Sequence, residues 1–113
     1  MMKQSALIIS NNKRQSTMFA AGLSGYGFHV ETTDTLQDAR MVMGYGLDAQ
    51  AIIIDMKTPP DDVSEFIQFI REDLRNQTSG ILVIHDNETV QGADAFIPRP
   101  ANIEDVLRIL THA

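Results

Sequence analysis

The sequence predicts an α/β fold in which the strands form a parallel sheet and helices cover both of its faces. Three short apolar runs have no polar break and are rich in isoleucine or valine: Ala6–Ile9, Ala51–Ile54 and Ile81–Ile84. Such runs are typical of strands that are buried on both faces. Segments with helical periodicity separate them, and this alternation along the chain predicts a parallel sheet.

The composition indicates one globular domain, spanning residues 1–113. Apolar residues make up 43% of the chain and charged residues 21%, a balance that supports a buried core. The lack of cysteine excludes disulfides, thiolate metal sites and cysteine nucleophiles. No apolar run approaches the roughly 20 residues of a membrane span, and the first residues become polar too quickly for a secretory signal. We therefore expect a cytoplasmic protein.

The charge pattern argues against a nucleic acid as the partner. Nine Lys and Arg against fifteen Asp and Glu give a net charge of −6. The basic residues are scattered, and Lys13 and Arg14 are the only adjacent pair. Because nucleic-acid binding usually requires a basic patch, we expect neither nucleic acid nor a membrane as a partner.

The first half of the chain holds two helices and one weaker strand besides the apolar runs. The pattern predicts helices over Lys13–Ser24 and Thr35–Met43, each followed by a Gly-Tyr-Gly segment that suits a helix end. Phe28–Thr33 is the weaker strand candidate. Four side chains at helical spacing are expected to lie in the core: Met18, Phe19, Met41 and Met43.

The second half holds the clearest helix, predicted over Ser64–Asn76. Its apolar residues fall on one helix face: Val63, Phe66, Ile67, Ile70 and Leu74. Asp61 or Asp62 is the predicted N-cap. A last helix is predicted over Asn102–Thr111, which begins with an Asn cap and two acidic residues, and Ala95–Ile97 is a weaker strand before it.

Five strands in this order suit a flavodoxin-like doubly wound sheet with strand order 2-1-3-4-5. Ligands of such sheets bind beyond the carboxyl ends of the strands, so the informative residues should follow the strands. They are Ser10, Asn11 and Asn12 after the first strand, Asp55, Met56 and Lys57 after the third, His85 and Asp86 after the fourth, and Arg99 and Pro100 after the fifth.

The connection between the fourth and fifth strands is too short for an ordinary helix. Only residues 86–94 separate these strands, whereas a parallel crossover normally needs a dozen residues or more. The segment has no helical apolar period. We therefore expect the fourth helix to be shortened or missing, so that either a loop covers this part of the sheet or apolar surface is exposed for a partner.

At the strand ends the chain resembles the receiver domain of two-component response regulators. In that family an apolar strand ends in the phosphoacceptor aspartate, a proline stands four residues later, and a helix with a Glu and an Ile-Arg pair follows. Here these positions hold Asp55, Pro59, Glu65, Ile70 and Arg71.

Two further segments carry the resemblance, which covers nearly the whole chain. Gly92–Pro100 (GADAFIPRP) is similar to the family's stretch around its lysine and proline, and Phe96 falls at the aromatic switch position. Gly27 and Phe28 match the usual glycine–aromatic pair before the second strand. The resemblance implies the receiver fold and a role in two-component signal transduction, including phosphorelays.

The chain departs from the family at the residues that carry its chemistry. The two acidic residues that hold Mg²⁺ in receivers fall on Ser10 and Asn11, or on Asn11 and Asn12 with a one-residue slip. The family's hydroxyl after the fourth strand falls on His85, and its lysine after the fifth on Arg99. Of the reactive set, only the aspartate remains.

These replacements predict a degenerate, or pseudo-receiver, site that is not phosphorylated in the ordinary Mg²⁺-dependent way. Mg²⁺ requires octahedral oxygen ligation anchored by carboxylates, and Asp55 is the only carboxylate expected there unless Asp86 turns inward. Arg99 can lie across the cavity and pair with Asp55, and His85 would crowd the same space. No cofactor is therefore expected. The alternative is an active receiver that uses Mg²⁺ and is phosphorylated on Asp55.

The predicted function is a protein-interaction module in signalling, with a kinase or an output protein as the partner and a homodimer as a further option. We expect no enzymatic activity, although two alternatives stay open. One is hydrolysis by Ser10, His85 and Asp55, for which the sequence has no nucleophile elbow. The other is a metal site of Asp55, Asp86 and His85, from which Arg99 would repel a cation.

Overall fold

The structure is a computed structural model that describes residues 4–55, 60–73, 79–85, 90, 92–99 and 101–111. The strands are β1 (Ser5–Ser10), β2 (His29–Thr33), β3 (Ala51–Asp55), β4 (Gly80–His85) and β5 (Ala95–Pro98). The helices are α1 (Lys13–Gly25), α2 (Leu36–Gly44), α3 (Pro60–Glu72) and α4 (Ile103–Thr111). Six residues that the sequence singles out lie outside the described part: Met56, Lys57, Pro59, Leu74, Asp86 and Pro100.

The five strands form one parallel sheet with the order β2-β1-β3-β4-β5, which confirms the predicted doubly wound topology. Ser10 lies opposite Asp55 in the register of β1 and β3, and His85 lies opposite Pro98 in that of β4 and β5. The carboxyl ends of four strands therefore meet at one edge, where the sequence places its candidate site.

The core lies on both faces of the sheet, which explains the unbroken apolar runs. In β1, Leu7 and Ile9 belong to the cluster shared with α2 and α3, whereas Ala6 and Ile8 belong to the cluster shared with α1 and α4. Successive side chains of a strand point to opposite faces, so a strand covered on both sides must be apolar at every position.

Side-chain caps fix where three of the helices begin. The Asn12 side chain accepts the Gln15 N–H ahead of α1, and the Thr35 hydroxyl accepts the Asp38 N–H ahead of α2. Ahead of α4, Asn102 and Asp105 each accept the other's backbone N–H. Such caps satisfy N–H groups that have no partner within the helix.

The predicted cap of α3 is wrong. The helix begins at Pro60, so Asp61 and Asp62 lie inside its first turn rather than before it. Proline suits a first helical turn because its missing N–H would have no partner within the helix there. The two carboxylates still stabilise this end through the helix dipole.

Both Gly-Tyr-Gly segments end helices as predicted, through the second glycine of each. Gly27 and Gly46 have φ of 94° and 108°, values that side chains other than glycine rarely adopt. The tyrosines between the glycines are exposed.

The expectation that Met18, Phe19, Met41 and Met43 lie in the core is wrong for two of them. Phe19 and Met43 are fully buried, but Met18 and Met41 are 38% and 54% exposed. The buried stripes of the first two helices run through Phe19 and Leu23 and through Ala39 and Met43, which turns the other two methionines outward.

No helix is present among the described residues between β4 and β5, which are Val90 and Gly92–Asp94. Val90 is buried in the core on the α2 and α3 face. An ionic contact ties this connection to α3: Arg71 donates to the carboxylate of Asp94 at 2.8 Å, and the same oxygen accepts the Ile81 N–H at 2.8 Å.

No helix in the described ranges is long and apolar enough to cross a membrane.

Candidate functional site

The candidate site lies at the carboxyl edge of the sheet, where the strands bring four predicted residues together. Ser10, Asp55 and His85 are the last residues of β1, β3 and β4. Arg99 follows β5 directly. All but Arg99 are buried, with 1% of Ser10, 2% of Asp55 and 9% of His85 exposed.

Both carboxylate oxygens of Asp55 accept hydrogen bonds. Oδ1 accepts from Nη1 of Arg99 in an ion pair, and Oδ2 accepts from the Ser10 hydroxyl at 3.2 Å. The Asp55 side chain is 1% exposed, whereas that of Arg99 is 22% exposed. The carboxylate is therefore enclosed, and its charge is met by a guanidinium that retains partial contact with solvent.

Arg99 reaches Asp55 from two strands away. Its backbone N–H donates to the carbonyl of His85 at 3.0 Å, which anchors the chain as it leaves β5. Neighbouring strands lie about 4.8 Å apart, so the guanidinium has to cross β4 to contact β3. Arginine has the length for this crossing and a charge that is permanent at physiological pH.

Ser10 connects the ion pair to the start of α1. Its oxygen accepts the Asn12 N–H at 3.1 Å, and its hydroxyl lies 3.4 Å from the Asn12 carbonyl oxygen. Asn12 caps α1 through the Gln15 N–H, and the Gln15 side chain donates to the Ala101 carbonyl at 3.1 Å. The pair is thus linked through α1 to the connection between β5 and α4.

The remaining predicted residues lie apart from the carboxylate. Asn11 is exposed and Asn12 caps α1. Of the three residues after β1 that the sequence singles out, Ser10 is the one that donates to Asp55. Phe96 is half-buried and packs against the core on the α2 and α3 face. The sequence did not indicate Gln15 or Ala101, because their contact depends on how α1 approaches the β5–α4 connection.

The described donor groups at this edge do not fit Mg²⁺. Asp55 contributes its two oxygens to Arg99 and Ser10, and a guanidinium beside the carboxylate repels a cation. In the described ranges, no group of three or more His, Asp or Glu side chains could hold a metal ion.

The Ser10–Asp55 contact also differs from that of a hydrolase. In a catalytic triad, a histidine stands between the serine and the carboxylate and takes the hydroxyl proton. Here the serine donates directly to the aspartate. The contact therefore lacks the intervening histidine of a catalytic triad.

Solved structures with the same fold include response regulators and a receiver domain of a histidine kinase. The chemotaxis response regulator CheY4 of Vibrio cholerae superposes with a TM-score of 0.80 and 22% identity over 96% of this chain and 97% of that chain. An orphan response regulator of H. pylori gives 0.78 and 25% identity over 95% and 93%. The receiver domain of a histidine kinase from Syntrophus aciditrophicus gives 0.79 and 16% identity over 95% and 86%.

No protein-family model and no curated protein sequence matches the chain. The structural neighbours therefore define its fold, which is the receiver fold of two-component signalling.

Proposed function

We propose that the protein is a receiver-like signalling domain that acts by binding another protein, without ordinary Mg²⁺-dependent phosphorylation. The observation that carries this proposal is the state of Asp55, a buried carboxylate with one oxygen on Arg99 and the other on Ser10. A phosphoacceptor must offer an oxygen to the incoming phosphoryl group, and here both oxygens are engaged.

The electrostatics of the site support this proposal. Phosphoryl transfer depends on positioning and on neutralising the charge of the phosphoryl oxygens, and a metal ion does much of that work. The positions expected to anchor the metal hold the neutral Ser10 and the exposed Asn11. The positive charge of Arg99 is paired with the Asp55 carboxylate. This pairing lowers the nucleophilicity of the carboxylate and opposes the binding of a metal cation.

The energetics of the pair point the same way. Taking a carboxylate out of water is costly unless a partner compensates it. To accept a phosphoryl group, Asp55 would have to give up Arg99 while it is still buried. The structure therefore favours the paired, unmodified carboxylate as the resting state of the domain.

The proposed partner is a protein of a signalling pathway, either a kinase or an output protein. One structural neighbour is described as an orphan response regulator and another is part of a histidine kinase, so receiver folds occur in both settings. We infer a binding role rather than an enzymatic one, and a site of action in the cytoplasm, where such partners would meet it.

An active phosphoacceptor is the second candidate, because Asp55 ends β3 at the position where receivers carry their acceptor. Intact-mass measurement after exposure to acetyl phosphate and Mg²⁺ separates the two functions. We expect no adduct on the wild-type protein. A stoichiometric phosphoryl adduct that is abolished in Asp55→Asn would contradict the proposal and establish the second candidate.

A further inference from the structure

Strand β2 forms the edge of the sheet on the side away from β5, and part of its main chain is directed outward. It is the first strand in the sheet order, with β1 as its neighbour in the described sheet. The His29 N–H donates to the Gln4 carbonyl, just ahead of β1, at 2.7 Å. Because main-chain groups alternate in direction along a strand, Val30 and Thr32 direct theirs away from β1. β2 contains no proline, which would hinder pairing with a further strand.

The side chains of β2 alternate between the two faces of the sheet. Val30 lies opposite Ala6 in the register with β1 and packs against the core on the α1 and α4 face. Glu31 lies opposite Leu7, which belongs to the core on the α2 and α3 face. His29 and Glu31 therefore share the second face, where they lie 3.2 Å apart and their side chains are 60% and 47% exposed. A basic and an acidic group thus stand side by side along the open edge.

Helix α2 ends in an exposed aromatic side chain beside this strand. Arg40 of α2 lies over the rings of Phe66 and Phe69 of α3, 5.7 and 4.7 Å from their centroids, so that side of α2 faces α3. Tyr45 is five positions further along, about 140° around the helix axis, and so lies on the side toward β2. Tyr45 is 87% exposed, and exposed tyrosines are enriched where proteins bind one another.

We propose that this edge binds a second copy of the chain, with the two β2 strands antiparallel around a two-fold axis at Val30. The outward groups of Val30 exchange two hydrogen bonds with those of Val30 in the second copy. His29 then lies directly opposite Glu31 of the second copy as a non-hydrogen-bonded pair, with Cα atoms about 4.5 Å apart. The two-fold rotation creates this pair twice. The pairing does not involve Asp55 and stands independently of the proposed function.

The charges on the strand select this register. A two-fold axis one residue further along would place the two Glu31 carboxylates directly opposite each other, which is destabilising. The axis at Val30 instead pairs each carboxylate with an imidazole that can donate to it. On the other face, it packs two β-branched valines against each other. The edge is therefore complementary to itself, as an interface between identical subunits around a two-fold axis requires.

Disulfide cross-linking tests the register, because the chain has no cysteine. Two single variants, His29→Cys and Glu31→Cys, are mixed under oxidising conditions. Position 29 of one copy and position 31 of the other lie within the Cα separation that a disulfide requires, whereas two like positions lie more than about 7 Å apart. We expect the mixed disulfide to form at least about tenfold faster than either like-paired disulfide. Equal rates for mixed and like pairs, or no cross-linking, would overturn the proposal.

Charge exchange tests the same pair in the unlinked protein. In sedimentation equilibrium, His29→Glu should weaken the dimer at least about fivefold, because it places like charges opposite each other on both sides of the axis. His29→Glu combined with Glu31→Lys restores opposite charges and should return the dissociation constant at least to within about threefold of that of the wild type. Both side chains are exposed, so these changes leave the core intact. A wild-type protein that stays monomeric up to about 1 mM, or a double variant as weak as the single one, would refute the dimer.

Discussion

Replacing Arg99 with methionine tests the buried ion pair at the centre of the site. Methionine keeps an unbranched apolar side chain but removes the charge. The Asp55 side chain, which is 1% exposed, then keeps the Ser10 hydroxyl as its donor among the described residues. Breaking a buried ion pair by removing one partner costs about 3–5 kcal/mol. Because Arg99 is itself 22% exposed, we expect a loss of about 2–3 kcal/mol in the free energy of unfolding.

A loss of this size is easy to measure. For a domain of this length it lowers the midpoint of thermal unfolding by about 8–12 °C, at about 4 °C per kcal/mol. Urea denaturation gives the free energy directly. Arg108→Met is the matched control, because Arg108 is exposed and its ion pair with Asp105 is long. Arg108→Met should lower the free energy of unfolding by less than about 0.5 kcal/mol.

A double-mutant cycle separates the ion pair from general packing. Asp55→Leu combined with Arg99→Met removes both charges together and should lie within about 1 kcal/mol of wild type. The coupling energy between the two positions should then be at least about 2 kcal/mol. Additive effects of the two single changes, or an Arg99→Met protein as stable as wild type, would refute the argument that the pair is compensated and buried.

Three further predictions concern packing, the short crossover and the metal. Gly22→Ala should lower the free energy of unfolding by about 1–3 kcal/mol, because a Cβ there would lie 2.3 Å from Cγ1 of Ile103. The control Gly25→Ala, whose Cβ meets nothing within 4 Å, should be neutral or stabilising in urea denaturation. Equal effects of the two changes would contradict the packing of α1 against Ile103. Asp94→Ala should cost about 1–2 kcal/mol and lower the hydrogen-exchange protection of the Ile81 amide, and unchanged protection would argue against that bond. Millimolar Mg²⁺ should raise the unfolding midpoint by less than about 1 °C, and a larger rise would show that the site binds the metal.

The fold was predictable because a strand that is buried on both faces has an unbroken run of apolar residues in the sequence. Runs such as Ala51–Ile54 must be apolar at every position, and their alternation with helical segments restricts the sheet to a doubly wound form. The start of α3 was not predictable from the same signals. A proline and two aspartates occur together there, and the sequence alone does not show whether Pro60 precedes the helix or opens it.

The edge that holds the site was also predictable, because parallel strands bring their carboxyl ends together. This topology is enough to place Ser10, Asp55 and Arg99 near one another. The individual side-chain contacts within the site could not be predicted in the same way. The sequence places Asn11 beside Ser10 at the position of a metal ligand, but Asn11 lies past the end of the strand and is exposed.

Contacts between elements were missed for a related reason. The Gln15 hydrogen bond to Ala101 and the close approach of Gly22 to Ile103 depend on how α1 and α4 pack, which no local pattern records. The exposed methionines show the same limit, since helical spacing does not by itself tell which face turns to the sheet.

We propose that the residues around Asp55, rather than the fold, keep it from acting as a phosphoacceptor. The most direct measurement compares the rate of phosphorylation by acetyl phosphate and Mg²⁺ in two proteins. One is the wild type, and the other is a restored variant that carries Ser10→Asp, Asn11→Asp, His85→Thr and Arg99→Lys. We predict an adduct on the restored variant, lost with Asp55→Asn, and none on the wild type. A wild type that is phosphorylated on Asp55 as fast as the restored variant would contradict this proposal.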